Sequence, residues 1–387
     1  MNAARPGADL AAATPAPGPA TRRLMEGSEA TAEAAIAAGC RFFAGYPMTP
    51  FTELLEHFAR RLPTVGGVCC NAESELEAVG MAWGAAATGA RAATGSTGQG
   101  LSLMEESLSE ITLAELPLVT FLLARGQQDY HQATRGLGHG DTRHVVLAPI
   151  DTHEAVAHTR LAFDLADRWR HPVLVYGDYL LAHTREAVAI GPDGPPPPPK
   201  PWAVDGSLGG TGRSRIISPL GFGKVGHPSP GIEAHQRAIA AKQAEIAAAE
   251  ARIEYGGCDD ATTVVVAYGT PARFVRAAVA ELRDAGHRIG WVRPVTLWPF
   301  PAAALAAAVA GARRVACFEL SAGQLIDDVR LAVLGAAPVR PIGGISTDGS
   351  GFGVGRLLDT EVIAARILAV HRDEDLPPLP DEPGGAP

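Results

Sequence analysis

The chain lacks the cysteine spacing of a metal or cluster site. Its five cysteines, at positions 40, 69, 70, 258 and 317, form no C-x-x-C pair. This argues against a zinc site and against a cysteine-ligated iron–sulfur cluster, and we expect no metal ligands in this chain. Scattered cysteines of this kind are typical of reduced thiols in a cytoplasm.

Aromatic residues, long apolar runs and positive charge are also scarce. Aromatics make up 6% of the 387 residues and hydrophobic residues 47%, so alanine and glycine supply much of the packing. No uninterrupted apolar run reaches the about 18 residues of a membrane span. The net charge of −9 argues against a nucleic-acid partner. The first residues lack the basic start and compact apolar block of a signal peptide, and we expect a cytoplasmic protein.

Strand and helix patterns alternate in two blocks, residues 23–190 and 261–372. Alternation of this kind predicts an α/β fold with doubly wound sheets. The segment between them, 191–260, is a linker that is rich in proline and glycine and then reads as one long helix, Ile232–Tyr255. We expect a disordered tail at 1–22 and a loose tail at 373–387. The predicted strands are Arg41–Gly45, Leu118–Ala124, Val145–Ala148, Pro172–Tyr176, Thr262–Tyr268, Gly290–Arg293 and Val315–Glu319.

Three polar residues are predicted to cap helices. Ser28 precedes a helix that runs to Ala38, and Thr49 precedes one with Pro50 at its first position. Asp151 and Glu154 have the spacing of a capping box.

Two motifs place polar groups beside buried strands. Tyr46-Pro47-Met48-Thr49-Pro50 follows the first strand, and Ala72-Glu73-Ser74-Glu75 opens a helix of small residues. A carboxylate between two buried elements is costly unless something needs it. The alternative interpretations are a helix cap for Thr49 and an exposed first-turn acid for Glu75.

Two further features follow strands. Arg125 could clamp a carboxylate through its two-pronged guanidinium, or it could pair with a surface acid. The glycines of Thr94–Gly100 could let backbone amides approach a ligand, although an ordinary turn is the alternative. His139 could line a cleft or stabilise its own loop.

These motifs, together with Ala114-Glu115-Leu116-Pro117, resemble the alpha subunit of 2-oxoacid:ferredoxin oxidoreductases, in the pyruvate:ferredoxin oxidoreductase family. The resemblance covers residues 25–370 and includes Pro201–Ala203, Arg293–Pro299, Glu319 and Gly323-Gln324, which are similar to the 2-oxoisovalerate and 2-oxoglutarate types. It implies a thiamine diphosphate-binding fold. Residues 23–190 would be the pyrimidine-binding domain and 261–372 a transketolase-C-terminal-like α/β domain.

The resemblance also implies residue roles. Glu75 would hydrogen-bond the aminopyrimidine of thiamine diphosphate and favour the imino tautomer, which deprotonates the thiazolium carbon. Arg125 would face the substrate. The implied catalytic residues are Glu75, Thr49 and Arg125, and the implied cofactor contacts are Tyr46, Pro47, Thr49, Glu75, Thr97 and Gln99.

The family's site lies between two subunits. A beta subunit would bring the diphosphate-binding domain, Mg²⁺ and a [4Fe–4S] cluster, and ferredoxin or gamma and delta subunits would complete the complex. This chain has no glycine-aspartate-glycine magnesium motif, and Gly177-Asp178-Tyr179 matches that motif only in part. The implied reaction is oxidative decarboxylation of a 2-oxoacid, of the branched-chain type, to an acyl-CoA with coenzyme A as co-substrate.

One departure from the family keeps other functions open. Family members commonly have a longer glycine- and proline-rich loop after the arginine, whereas here Gly126-Gln127-Gln128 leads directly to Asp129-Tyr130. The alternatives are a thiamine-dependent non-oxidative decarboxylase or acyloin-forming transferase subunit, or a non-catalytic scaffold subunit.

Overall fold

Two mainly parallel β-sheets, each flanked by helices, organise the chain. The computed structural model describes residues 21–135, 138–194, 197–204, 219–220, 231–351, 353 and 355–379. Most of the expected N-terminal tail, most of the glycine-rich part of the linker and the end of the C-terminal tail lie outside the described residues. None of the helices within these ranges is long and apolar enough to cross a membrane.

The strands are three to six residues long. They are β1 (Arg23–Glu26), β2 (Phe42–Gly45), β3 (Val68–Asn71), β4 (Ala92–Ser96), β5 (Val119–Ala124), β6 (Val145–Leu147), β7 (Val173–Asp178), β8 (Arg185–Val188), β9 (Ile253–Gly256), β10 (Thr263–Val266), β11 (Ile289–Pro294), β12 (Thr296–Trp298), β13 (Arg314–Cys317) and β14 (Val339–Pro341). All six residues of β5 are buried, as is typical of a strand covered on both faces.

The helices alternate with these strands, as the sequence predicts. They are α1 (Gly27–Ala37), α2 (Thr52–Arg61), α3 (Glu75–Ala87), α4 (Gly98–Leu113), α5 (Tyr130–Thr134), α6 (Thr152–Trp169), α7 (Tyr179–His183), α8 (Ile232–Glu250), α9 (Gly269–Asp284), α10 (Ala302–Ala308), α11 (Leu325–Val333) and α12 (Thr360–Arg372). The helix predicted over Ile232–Tyr255, however, ends at Glu250, and strand β9 occupies its expected last turn.

The larger sheet has the strand order β12-β6-β7-β5-β4-β2-β3, and every strand except β12 runs parallel to its neighbours. Successive strand residues alternate between its two faces: Ala92 packs with α3 and α4, whereas Ala93 packs with α1, α2 and α6. The sheet is therefore doubly wound, and the carboxyl ends of its parallel strands meet at one edge.

The smaller sheet has the order β14-β13-β10-β11-β9, with β9 antiparallel at one edge. Helices α9 and α12 cover one face, and α10 and α11 cover the other. A separate two-stranded ribbon pairs β1 with β8. This α/β arrangement confirms the predicted fold class.

The two sheets are interlocked by β12, a strand that the sequence does not predict. It follows β11 of the smaller sheet but pairs with β6 of the larger one, where Thr296 lies opposite Leu147. Nearby, Arg293 is almost fully buried and donates to both oxygens of the Glu154 carboxylate, at 2.7 and 2.9 Å. Chain segments from both blocks therefore meet in one packed region, and the domain limits given above remain a prediction.

Two of the three predicted helix caps are wrong. Helix α1 begins two residues early, at Gly27, and the Ser28 hydroxyl donates instead to the carbonyl of Ala182. Thr49 lies in the turn before α2, because the amides of Phe51 and Thr52 both bond the carbonyl of Met48.

The third predicted cap is confirmed. Asp151 accepts a hydrogen bond from the Glu154 amide at the start of α6, over 2.8 Å. The Glu154 side chain in turn accepts from the Ile150 amide, so the two carboxylates satisfy two backbone N–H groups at the start of this helix.

The low pKa values of two histidines predict a loss of stability in mild acid. Burial lowers the pKa of His144 from 6.5 to about 4. Burial and the nearby charges of Arg293 and Arg252 lower the pKa of His158 to about 4 as well. Between pH 4 and pH 6.5 the unfolded chain binds protons that the folded chain does not, so the free energy of unfolding falls as the pH falls through that window.

Urea unfolding followed by circular dichroism between pH 7 and pH 5 tests this expectation. Stability should decrease by up to about 1.4 kcal/mol per pH unit for each histidine. His144→Phe should flatten the dependence, whereas the same change at the exposed His153 should not. A stability that stays constant over this range would contradict the expectation.

Candidate active site

The carboxyl edge of the seven-stranded sheet gathers the polar residues that the sequence singles out. The Tyr46–Pro50 turn follows β2, and Glu75 begins α3 after β3. Thr97 follows β4, and Arg125 follows β5. Since these four strands are parallel neighbours, their ends lie side by side.

Glu75 is the buried carboxylate of this edge, with 2% of its surface exposed. The Ser96 hydroxyl donates a hydrogen bond to Glu75 Oε1 over 2.8 Å. No other donor among the described residues bonds this carboxylate. Ser74 caps α3 by accepting from the Glu77 amide, and both Glu73 and Glu77 are exposed. The interpretation of Glu75 as an exposed first-turn acid is therefore wrong.

Two glycines at the start of α4 make room for carboxylates. A Cβ on Gly100 would lie 2.0 Å from Ser96 Oγ and 2.3 Å from Glu75 Oε1. A Cβ on Gly98 would lie 2.2 Å from both carboxylate oxygens of Asp129. The sequence predicts glycines that admit a ligand to the backbone, whereas here the protein's own side chains fill that space.

Arg125 ties the end of β5 to the turn after β2. Its Nε donates to the backbone carbonyl of Thr49 over 3.2 Å. Asp129 is close enough to feel its charge: burial raises the pKa of the Asp129 carboxyl, and the guanidinium of Arg125 partly opposes that rise. The arginine therefore stands beside a half-buried acid and beside the predicted cofactor turn.

The remaining predicted contacts differ in exposure. Thr97 is fully buried, and its hydroxyl lies 2.8 Å from Met48 Sδ and 3.0 Å from Gln99 Oε1. The predicted residues on the rim are Pro47, Thr49 and Gln99, which are exposed, and Tyr46, which is partly buried.

Gln127 connects this edge to the smaller sheet, and its closeness to Arg125 is the one signal for it in the sequence. It is 1% exposed. Its amide group donates to the carbonyl of Tyr268 at 3.0 Å and accepts from the Leu320 amide at 2.8 Å. Its own backbone N–H donates to the Leu320 carbonyl. The smaller sheet thus forms one wall of the cleft in which Arg125 lies.

Asp178, in the Gly177-Asp178-Tyr179 segment, is a second link between the two sheets. It caps α7 by accepting from the Leu181 amide over 2.9 Å, and its other oxygen accepts from the hydroxyl of Thr270 in α9. Burial raises the pKa of its carboxyl, and these hydrogen bonds oppose that rise. Both oxygens are used in structural bonds.

His139 stabilises its own loop. Its ring lies 2.8 Å from the Glu110 carboxylate, and its backbone N–H donates to Ser109 on the same helix. The structure therefore favours the loop interpretation over the cleft interpretation.

Comparison with known families agrees with this architecture. Residues 33–251 match the thiamine diphosphate-binding domain of the pyruvate flavodoxin/ferredoxin oxidoreductase family. The chain belongs to that family. Residues 261–352 match core domain II of pyruvate:ferredoxin oxidoreductase.

Curated relatives show which type of subunit within the family this chain resembles. The ketoisovalerate oxidoreductase subunit VorB of Methanothermobacter thermautotrophicus is 37% identical over 80% of this chain and 89% of its own length. The 2-oxoglutarate synthase subunit KorA of the same organism is 34% identical over 82% of this chain and 92% of its own length. This member of the family is a 2-oxoacid:ferredoxin oxidoreductase subunit, and hence part of an oxidoreductase that acts on 2-oxoacids.

Solved structures show the same fold. A 2-oxoglutarate:ferredoxin oxidoreductase from Magnetococcus marinus, with 2-oxoglutarate, coenzyme A and succinyl-CoA bound, is 25% identical with a TM-score of 0.75. The match covers 91% of this chain and 66% of that chain. A split-gene transketolase, 14% identical with a TM-score of 0.56 over 90% of this chain and 98% of its own, shares the fold alone.

Replacing Gln127 should loosen the contact between the two sheets. Gln127→Ala leaves the Leu320 amide and the Tyr268 carbonyl without partners, which should lower the free energy of unfolding by ~2–4 kcal/mol. The exposed neighbour Gln128, changed in the same way, is the matched control. Chemical denaturation measures both, and equal stability of the two variants would show that the Gln127 bonds contribute little.

Proposed function

We propose that this oxidoreductase subunit is of the alpha type and contributes the aminopyrimidine side of a thiamine diphosphate site. The complex would decarboxylate a branched-chain 2-oxoacid oxidatively to an acyl-CoA and pass electrons to ferredoxin. The observation that carries the proposal is the buried Glu75 carboxylate, fixed by one hydrogen bond at the carboxyl edge of the sheet.

The Glu75 side chain fits the aminopyrimidine ring. Ser96 occupies Oε1, while no donor among the described residues bonds Oε2. Oε2 is not sealed from solvent, since the fully buried side-chain atoms without a partner do not include it. A ring nitrogen can therefore reach this oxygen and share a proton with it. Glu75 would hold a proton between Oε2 and that nitrogen.

The rim residues and the buried Thr97 would complete the pyrimidine pocket. We propose that Tyr46, Pro47, Thr49, Thr97 and Gln99 contact the cofactor, since they border Glu75 at the same edge. When bound, thiamine diphosphate supplies the nucleophilic carbon that attacks the 2-oxo group. The chain's own contribution is to orient the ring, to exclude water from Glu75 and to hold the proton there.

Arg125 would bind the substrate carboxylate. It follows β5 on the same edge as Glu75, and it also lines the cleft against the smaller sheet. Its Nε–Thr49 bond fixes the direction of the side chain. A guanidinium held in this way can present two parallel N–H donors to the two oxygens of a carboxylate, whereas an ammonium lacks this planar fork.

The branched-chain substrate is supported by the relatives. The two ketoisovalerate oxidoreductase subunits are 35% and 37% identical to this chain, and the four 2-oxoglutarate synthase subunits are 32–34% identical. The difference is small, and measured turnover of 2-oxoisovalerate and 2-oxoglutarate decides between them.

The rest of the site would come from partners. We propose a beta subunit that carries the diphosphate-binding domain, Mg²⁺ and a [4Fe–4S] cluster, with ferredoxin or gamma and delta subunits accepting electrons in the cytoplasm. Coenzyme A would be the acyl acceptor. In this arrangement residues 23–190 form the pyrimidine-binding domain, and 261–372 form the transketolase-C-terminal-like domain that supports Arg125 through Gln127.

Glu75→Gln tests the proposed role of the acid. In the complex reconstituted with its partner, thiamine diphosphate should still bind, because the diphosphate contacts belong to the partner. Hydrogen–deuterium exchange at the thiazolium carbon should slow by ~10²–10⁴-fold, since the proton held by the acid is lost.

Glu73→Gln is the matched control, because Glu73 is exposed two residues away. It should exchange at the wild-type rate. Slow exchange in Glu73→Gln with normal exchange in Glu75→Gln would mean that the wrong acid is assigned. Normal exchange in both variants would contradict the thiamine proposal.

Arg125→Lys tests substrate binding. The charge is kept, but the forked geometry is lost, so the apparent KM for the 2-oxoacid should rise by ~10-fold or more. Arg143, half-buried before β6 at the opposite edge of the sheet, provides the control variant Arg143→Lys. An unchanged KM in steady-state assays with a viologen dye would assign Arg125 to structure.

A further inference from the structure

We propose that Ser96 is the positioning residue that selects which oxygen of Glu75 faces the cofactor. The inference rests on the proposed function, since it concerns the same carboxylate. Ser96 is 1% exposed and Glu75 is 2% exposed, so bulk water reaches little of either side chain. Their 2.8 Å bond is the one that each makes through its side-chain oxygens among the described residues.

The donor direction gives the two carboxylate oxygens different roles. The Ser96 hydroxyl donates to Oε1, so Oε1 is already an acceptor. A proton carried by Glu75 then belongs on Oε2, where no donor competes for the lone pairs. Without Ser96, the last side-chain torsion of a glutamate is soft, and either oxygen could turn toward the ligand.

The surrounding backbone preserves this geometry. Ser96 is the last residue of β4, in register with Leu122 of β5, and Glu75 is the first residue of α3. The third element, α4, approaches through Gly100, where a Cβ would lie 2.0 Å from Ser96 Oγ. Three elements thus converge on one hydroxyl–carboxylate pair and leave it little freedom to move.

Ser96→Ala in the reconstituted complex tests the proposal. Exchange at the thiazolium carbon should slow by about tenfold or more, because the hydrogen bond that fixes the orientation of the Glu75 carboxyl group is lost. The circular-dichroism band of the imino form of the bound aminopyrimidine should weaken. The dissociation constant of thiamine diphosphate should change less than threefold, because the hydroxyl would not contact the cofactor.

Two variants separate positioning from general disruption. Thr94→Val is the matched control: Thr94 lies two residues earlier on β4, is fully buried, and donates to the carbonyl of Ala44. It should exchange at the wild-type rate. Ser96→Thr keeps the hydroxyl and should restore both exchange and the imino band.

The outcomes distinguish this inference from the proposed function. If the wild-type complex shows no exchange, the thiamine proposal itself fails. If Glu75→Gln is slow but Ser96→Ala is as fast as wild type, the thiamine proposal stands and the role of Ser96 is overturned. If Ser96→Ala and Ser96→Thr are equally slow, the loss does not come from the hydroxyl, and the inference is likewise overturned.

Discussion

Burial of the Glu75 carboxylate is the constraint on which the candidate site depends. Removing a carboxylate from water is costly unless it is hydrogen-bonded. Among the described residues, Ser96 supplies the donor, and Gly100 is a neighbouring backbone position without a side chain. Both lie in segments that the fold brings to the same sheet edge. The carboxylate therefore dictates which residue types can occupy the strand end and the helix start beside it.

The second organising feature is the interlock of the two sheets. Arg125 lies at the end of a strand of the larger sheet, yet the smaller sheet holds the residues just beyond it in place. Gln127 reaches Tyr268 and Leu320, and Asp178 reaches Thr270. Strand β12 makes the link in the opposite direction: it follows β11 of the smaller sheet and forms an edge strand of the larger one. The cleft is thus shaped jointly, which explains how the smaller sheet can matter for Arg125 without contributing a reactive group.

Sequence patterns were sufficient to predict strands and helices that alternate, but not the contacts that join the two sheets. Buried runs such as β5 are detectable because they are continuous and apolar. Strand β12 is not detectable in this way. Its three residues follow β11 after one intervening residue, and its partner strand lies about 150 residues earlier in the chain. Gln127 is a polar residue in a loop, and its burial is decided by the other sheet. Glu75 was predictable as a candidate, whereas the Ser96 bond required the geometry of three elements.

The two failed caps show why local rules give way at this edge. Ser28 and Thr49 are good capping residues, and each lies within three residues of the observed helix start. In the first case Gly27 lies so close to the carbonyl of Leu181 that a Cβ would be 1.9 Å from its oxygen, so packing against α7 sets where α1 begins. In the second case, the backbone carbonyl of Thr49 accepts a hydrogen bond from Arg125. In both cases a long-range contact displaces the residue from its local capping role: Ser28 bonds the carbonyl of Ala182, and Thr49 accepts from Arg125 at the candidate site.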